Sequence, residues 1–397
     1  MNPDAKELTV LVISDLHATS MKGEKSKSNL FFNNGQCKFA QDFLKFIDRF
    51  KSKVDVLICA GDVGNKGDEE SFKLGWSFLH QIKSALGLES LFCVPGNHDH
   101  HSRTTQNLPT SFLENATPSF PLDDSSLNQR FWEKQWVFLT NNSFNSVLLN
   151  TSAFHGFGEV DNDYGRIRPD TSQEISDLVS GEAQEKDFNV LICHHAPYKM
   201  EHAYPESDDN EEIQGAQNLL HLLDINDHNP WLVIHGHKHF GDVRYAISKK
   251  NVPTTLFSAS SLSSKTVDEG TSSVNQFHVL TINLEKTRES GRVVGLSHNY
   301  MYDISSPEKW RLINQDGFPA ISGFGGNIEL RKLAGDINKM LDEDDSGLIE
   351  YRELSEINES LKYCTMHDMD FLRYWLEKHN ISVEMKNNEI IEVGKDK

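Results

Sequence analysis

The sequence predicts an α/β fold with a small, mainly helical unit at its C-terminal end. Three observations carry this reading. Seven short apolar runs alternate with amphipathic stretches through the first two-thirds of the 397 residues, five of those runs lead straight into a cluster of His, Asp and Asn, and the chain becomes helical and acidic after Ser305.

The apolar runs cover residues 8–13, 54–59, 91–94, 146–149, 188–193, 231–234 and 254–257. Several are rich in β-branched residues and bounded by polar ones, as buried strands are. Stretches with helical spacing lie between them, at 39–50, 71–86, 173–178 and 216–223. Strand–helix alternation of this kind builds buried sheets covered by helices. Residues 275–284 and 291–302 read as a closing hairpin turning near Arg288-Glu289-Ser290-Gly291. The expected division is therefore 1–305 for the main domain and 306–397 for the C-terminal region.

Composition excludes several classes. At 37% hydrophobic and 25% charged the chain is an ordinary globular one. No apolar run reaches the roughly 20 residues of a membrane span. The first residues enter a strand without a basic, then apolar leader, so a cytoplasmic protein is expected. The formal charge of −20 offers no basic track for extended nucleic acid, though small anions are not excluded. Cys37, Cys59, Cys93, Cys193 and Cys364 form no Cys-x-x-Cys pair and read as reduced thiols, Cys59, Cys93 and Cys193 being placed in the core.

The chemistry lies in the clusters at the strand ends: Ser14-Asp15-Leu16-His17, Ala60-Gly61-Asp62, Pro95-Gly96-Asn97-His98-Asp99, His194-His195 and His235-Gly236-His237-Lys238-His239. Open α/β sheets gather their sites at the carboxyl ends of strands. Asp15 and His17, like His237 and His239, are two apart, which in an extended strand end puts both side chains on one side. Asp62 and Asn97 each follow a glycine, where the backbone can turn sharply. Mixed carboxylate and imidazole ligands suit Mn, Fe or Zn. A metal pair can acidify a shared water into an attacking hydroxide and clamp the oxygens of phosphorus. His98, beside Asn97, is placed to protonate a leaving oxygen.

In this order, the five motifs resemble the calcineurin-like metallophosphoesterase family across roughly residues 8–303. The resemblance implies a double β-sandwich flanked by helices, in α/β/β/α layers. It implies one metal on Asp15, His17, Asp62 and His239 and a second on Asp62, Asn97, His194 and His237, with Asp62 bridging and His98 as the acid. Asn150-Thr151-Ser152 and Gly165-Arg166-Ile167 also look like connectors of phosphodiesterase-type members. The chain departs from the Ser/Thr protein phosphatases of that superfamily. Gly61-Asp62 is followed by Val63-Gly64-Asn65 rather than Asp-Arg-Gly, and the third motif ends in Asp99 rather than Glu. No carboxylate is then available at Asn65 to orient His98. His195 yields the ligand place to His194; His100, His101 and His235 read as solvated or bonded to backbone.

Residues 342–353 resemble a calcium-binding EF-hand loop, with Asp342, Asp344, Ser346, Leu348, Glu350 and Glu353 at the ligand positions and Gly347 at the turn. A helix over 368–378 and a hairpin over 381–393, turning at Asn387-Asn388, complete the tail.

The expected activity is hydrolysis of phosphodiesters by a dinuclear metal centre, on a small phosphorylated substrate such as a linear or cyclic nucleotide. A phosphomonoesterase, or a nuclease on short or single-stranded nucleic acid, is the alternative among enzymes. Outside enzymes the alternative is a metal-bound interaction scaffold like the retromer subunit that resembles this family.

Overall fold

The computed structural model of the chain describes residues 6–25, 27–101, 110–156, 164–182, 186–200, 212–225, 229–246, 252–265, 274–313, 318–344, 346–350, 352–354, 359–386 and 389–395. One sheet contains β1 (Glu7–Ile13), β2 (Val56–Cys59) and β3 (Leu91–Cys93). From later in the chain it takes β10 (Gln276–Asn283), β11 (Gly295–Tyr302), β12 (Trp310–Leu312) and β13 (Ile321–Phe324). A second sheet contains β4 (Trp136–Thr140), β5 (Phe144–Leu149), β6 (Phe188–Ile192), β7 (Trp231–His235), β8 (Asp242–Tyr245) and β9 (Thr255–Ser258).

The central strands are mostly apolar because both faces are covered. In β1, Leu8, Val10 and Val12 point between the sheets, where they join Val190, Ile192, Leu232 and Ile234 of the second sheet. Leu11 and Ile13 point the other way, to Phe43, Phe78 and Leu79 of the helices Lys38–Ile47 and Glu69–Leu86. The outer face of the second sheet buries Leu191 and Val233 against Ile175 and Leu219 of the helices Thr171–Glu182 and Ala216–Ile225. The layers run helix, sheet, sheet, helix, the expected double sandwich. All five cysteines are buried and reduced, and burial pushes the Cys193 thiol up to about 12.

The pairing of β1 with β2 and β2 with β3 is parallel, as is that of β5 with β6, β6 with β7 and β7 with β9. Parallel strands deliver their carboxyl ends to one edge, and that edge holds the polar clusters. Among the described residues of the two main sheets, four strands escaped the sequence reading: β4, β8, β12 and β13. The first sheet therefore continues past residue 305, with β12 and β13 both pairing with β11. The hairpin of β10 and β11 is antiparallel as expected. Its connection is a helix, Leu284–Ser290, started by the Asn283 side chain on Lys286 N and ended by Gly291 at φ 66°. Among the described residues no helix is long and apolar enough to cross a membrane.

Beyond the sheet, the helix Leu330–Glu343 leads into β14 (Leu348–Glu350); the helix Met366–Lys378 then leads into β15 (Ile381–Lys386) and β16 (Glu389–Lys395). The three strands form their own sheet, in the order β14-β16-β15, over a core of Leu333, Ile337, Leu341, Ile349, Leu372, Leu376 and Val393. The Asn387-Asn388 turn lies outside the described residues. This arrangement does not bear out the calcium-loop reading of Asp342, Asp344, Ser346, Leu348, Glu350 and Glu353. Leu348–Glu350 is a strand registered on β16, with Leu348 opposite Gly394 and Ile349 buried. The acidic groups have other partners: Asp342 pairs with Lys395 Nζ at 2.6 Å, Asp344 Oδ1 accepts Ser346 N–H at 2.6 Å, and Glu353 accepts Glu350 N–H at 3.3 Å. Among the described residues these carboxylates form no ligand-spaced group. Millimolar Ca²⁺ is accordingly expected to leave the protease resistance of residues 322–397 unchanged. Protection by Ca²⁺ that Glu353→Gln abolishes would reinstate the calcium loop.

Candidate metal centre

Each cluster begins where a parallel strand ends: Asp15 and His17 after β1, Asp62 after β2, Asn97 after β3, His194 after β6, and His237 and His239 after β7. The sheets meet at this edge, so His17 and His239, 222 positions apart, come into contact. His17 Nε2 stands 2.9 Å from His239 Nε2, and Asp15 Oδ1 lies 3.8 and 3.4 Å from those two nitrogens. A second group forms around Asn97, whose Oδ1 is 3.0 Å from His194 Nε2 and 3.2 Å from His237 Nδ1. Asp62 faces both groups: its Oδ2 is 3.5 Å from His17 Nε2 and its Oδ1 is 3.4 Å from His194 Nε2. All seven residues of the expected ligand set are therefore brought together.

The local backbone differs from the expected extended strand ends. Asp15, His17, Asp62, His237 and His239 all have positive φ, between 42° and 75°. Non-glycine residues there cost about 1–3 kcal/mol each and persist only where the surroundings hold them. Here the strain is held by hydrogen bonds between loops. Asp15, His17 and Ala18 N–H groups donate to Gly61, Asp62 and Val63 carbonyls at 3.0–3.2 Å. Ser14 Oγ donates to Asp15 Oδ2 at 2.6 Å, Ser261 Oγ donates to the Asp15 carbonyl at 2.7 Å, and Ser263 Oγ donates to the Leu16 carbonyl. Ser261 and Ser263 went unread in the sequence, although the serine-rich run Ser260–Ser264 just after an apolar strand was a signal for them.

The motif glycines serve close approach. A Cβ on Gly96 would fall 2.1 Å from Asp62 Oδ1, and one on Gly236 would fall 1.9 Å from Ser14 Oγ and 2.5 Å from Asp15 Oδ2. Gly61, at φ 98°, would meet His194 Nδ1 at 2.5 Å. Gly96→Ala should thus weaken Mn²⁺ binding about 10–100-fold, the usual effect of disturbing a ligand's support. Unchanged affinity in a metal titration would show that Asp62 is not the group being held.

Charge points the same way. Asp15 and Asp62 are buried, at 0 and 1% exposure, and the ion-pair partners described for them are histidines. Burial pushes the Asp62 carboxyl up, but His194 and His98 outweigh it and hold the group well below the ordinary range. Burial likewise opposes ionisation of Asp15, and the contact with His239 brings it down to about 2. Burial lowers His194, yet the neighbouring Asp62 carries it up to about 10. Burial lowers His17 to about 3 and His237 well below its usual value. Two buried carboxylates create a field that needs positive charge, since each uncompensated ion costs several kcal/mol. A divalent cation fits this donor set of oxygens and imidazole nitrogens. His194 Nδ1 donates to the Ala60 carbonyl at 2.8 Å, a contact that aims Nε2 at the centre.

The remaining motif residues have other roles. His98 is anchored through Nδ1 to Asn65 Oδ1 at 3.0 Å, and its N–H donates to Asp62 Oδ1 at 2.8 Å. An amide thus stands where a carboxylate was sought. Asp99 accepts N–H groups from Val63, Gly64 and Gly96, tying two site loops together. Burial and the Asp62 charge raise its carboxyl to about 7. His195 joins neither group: its Nδ1 meets Thr151 Oγ1 at 2.8 Å, and its ring packs 4.4 Å from that of His237. His100 and His235 are fully buried, not solvated, and their Nδ1 atoms meet the Gly96 and Gly236 carbonyls.

Residues 8–241 match the family model described as calcineurin-like phosphoesterase, and residues 322–377, in the C-terminal unit, match one described as wHTH-Calcineurin_assc. A probable cyclic nucleotide phosphodiesterase of Vesicomyosocius okutanii subsp. Calyptogena okutanii (strain HA) is 26% identical over 197 residues, 49% of this chain and 67% of that one. Among solved structures, the purple acid phosphatase PPD1 from yellow lupin (Lupinus luteus) seeds is 13% identical with a TM-score of 0.49. The match covers 76% of this chain but only 52% of the lupin enzyme's length. A dimetal phosphatase from Danio rerio is 12% identical, covering 69% of this chain and 94% of that one, with a TM-score of 0.44. The family match spans more than half of the sequence and contains every candidate ligand, so the chain belongs to the calcineurin-like phosphoesterase family and is a metal-dependent phosphoesterase.

Proposed function

We propose that this enzyme hydrolyses phosphodiester bonds in small nucleotides, cyclic nucleotides foremost. The observation that carries the hydrolytic part is the carboxylate of Asp62, one oxygen toward His17 and the other toward His194. That placement supports one cation on Asp15, His17, Asp62 and His239 and another on Asp62, Asn97, His194 and His237. Mn, Fe or Zn matches such mixed ligands. The substrate class is supported by the relative named as a cyclic nucleotide phosphodiesterase and by a net charge of −20, which disfavours long nucleic acid.

Bound divalent ions supply Lewis-acid charge for the phosphoryl oxygens and a more acidic water. The chain's own residues hold and orient. Asn65 fixes the His98 ring by its Nδ1, which leaves Nε2 as the atom that carries a proton to the departing oxygen. An amide in this place adds no negative charge beside the imidazolium, so the ring gives up its proton more readily than one paired with a carboxylate. Such a proton matters most for an alkoxide leaving group.

The test is a hydrolysis screen of Mn²⁺-loaded protein against cyclic nucleotides, linear diesters, nucleoside monophosphates and short oligonucleotides. The largest kcat/KM is expected for a diester of a single nucleotide. Preference for monophosphates would replace the reading with a phosphomonoesterase, and metal binding without turnover of any phosphoester would favour an interaction scaffold.

A further inference from the structure

The loop bearing His237 and His239 runs through Phe240 and Gly241 into β8. That strand is the edge of its sheet and, among the described residues, pairs only with β9. Its first residue, Asp242, is 1% exposed. Asp242 Oδ2 accepts Arg244 Nε at 2.6 Å, and Oδ1 accepts His367 Nε2 at 2.7 Å. His367 lies 125 residues away, in the first turn of the helix Met366–Lys378 of the C-terminal unit. Burial opposes the Asp242 charge, but the His367 and Arg244 contacts outweigh it and hold the carboxyl below its ordinary range.

The same unit grips β8 at its other end. Gly325 N–H, on the connector into the unit, donates to the Tyr245 hydroxyl at 2.7 Å. Gly323 and Gly326 N–H groups donate to the Cys364 and Tyr363 carbonyls, drawing that connector against the start of the helix. Met366 packs on the core between the two main sheets. A Cβ on Gly323 would come within 2.3 Å of the Lys362 carbonyl, so the approach is close. Arg244 also faces the Tyr198 ring at 5.7 Å, and Tyr198 stands edge-on to His235 at 5.6 Å. Tyr198 lies four residues beyond His194, so both loops of the second sheet converge on the Asp242–Arg244 pair.

We propose that the C-terminal unit is a working part of the metal centre: His367, by holding Asp242, positions the loop that presents His237 and His239. This rests on the reading of those two histidines as ligands. His367 and Asp242 are positioning residues, with no part in the chemistry itself. A unit that clasps an edge strand at both ends also explains why β8 needs no further strand beside it.

The test uses the full chain with His367→Ala and His367→Gln. Glutamine places an amide N–H close to the position of imidazole Nε2, and the His367 side chain is 39% exposed, so both variants should fold. Two quantities are measured: hydrogen exchange of residues 235–245 in metal-free protein, and Mn²⁺ affinity by titration. His367→Ala should speed that exchange about ten-fold and weaken Mn²⁺ about ten-fold, at the low end for loss of a group that supports a ligand. His367→Gln should restore most of both, and Asp242→Asn combined with His367→Ala should be no worse than the worse single variant. Wild-type exchange and affinity in His367→Ala, or equal impairment by Ala and Gln, would overturn the proposal. Faster exchange with unchanged Mn²⁺ affinity would overturn the ligand reading beneath it, and the proposal with it.

Discussion

Asp62→Asn is expected to lose bound metal and nearly all turnover together. Asparagine preserves the shape and the acceptor for His98 N–H, which lies 2.8 Å from Oδ1. It removes the one negative charge that both candidate ligand groups share at 3.4–3.5 Å. Lewis-acid stabilisation of phosphoryl charge amounts to several kcal/mol, so its loss corresponds to roughly 10²–10⁴-fold or more in rate. Asn97→Ala should resemble it, because Asn97 Oδ1 is the oxygen between His194 and His237. Elemental analysis after dialysis against trace metal, run beside a turnover assay, reads both quantities. Two ions per chain and wild-type turnover in either variant would refute the assignment.

His98→Ala should behave differently, keeping the metals while slowing turnover about 10²–10⁴-fold, the usual contribution of a general acid. Its ring is 4.6 Å from that of His17, at the rim of the cluster. The slowing should shrink for nitrophenyl esters, whose leaving group scarcely needs a proton, and remain full for alkyl esters. Asn65→Ala should show a weaker form of the same pattern, since it frees the ring to turn without removing it. An equal loss on good and poor leaving groups would mean that His98 serves only as a structural support for Asp62.

Much of this site was legible in the sequence. A parallel strand must release its chain at one edge, and a functional side chain placed there needs only the few residues next along the chain. The clusters that hold Asp15, His17, Asp62, Asn97, His194, His237 and His239 could therefore be found from local patterns, because apolar run and polar cluster are adjacent in sequence, and the family resemblance picked these seven from them. Asn65 was visible but misjudged, since a carboxylate was sought and hydrogen-bond orientation needs only an acceptor oxygen. The C-terminal loop was ambiguous for a related reason. Alternating acids and a glycine satisfy a calcium loop and an acidic turn before a strand equally well, and the pairing of Leu348–Glu350 with β16 favours the turn.

Local sequence was thus enough for the α/β alternation and for the order of the strands that end in polar clusters, which depend on neighbours along the chain, while the layered double sandwich and the choice of ligands within the clusters came from the resemblance to the calcineurin-like family. Folding in three dimensions settled the rest: which candidate ligands face a common oxygen, how the strained Asp15 and His17 backbone is held by Ser261 and Ser263, and that His367 reaches Asp242. Those facts depend on groups tens to hundreds of residues apart meeting within 3–4 Å. No periodicity or motif encodes such a distance; it is set by how the two sheets and the C-terminal unit bury their apolar faces against one another.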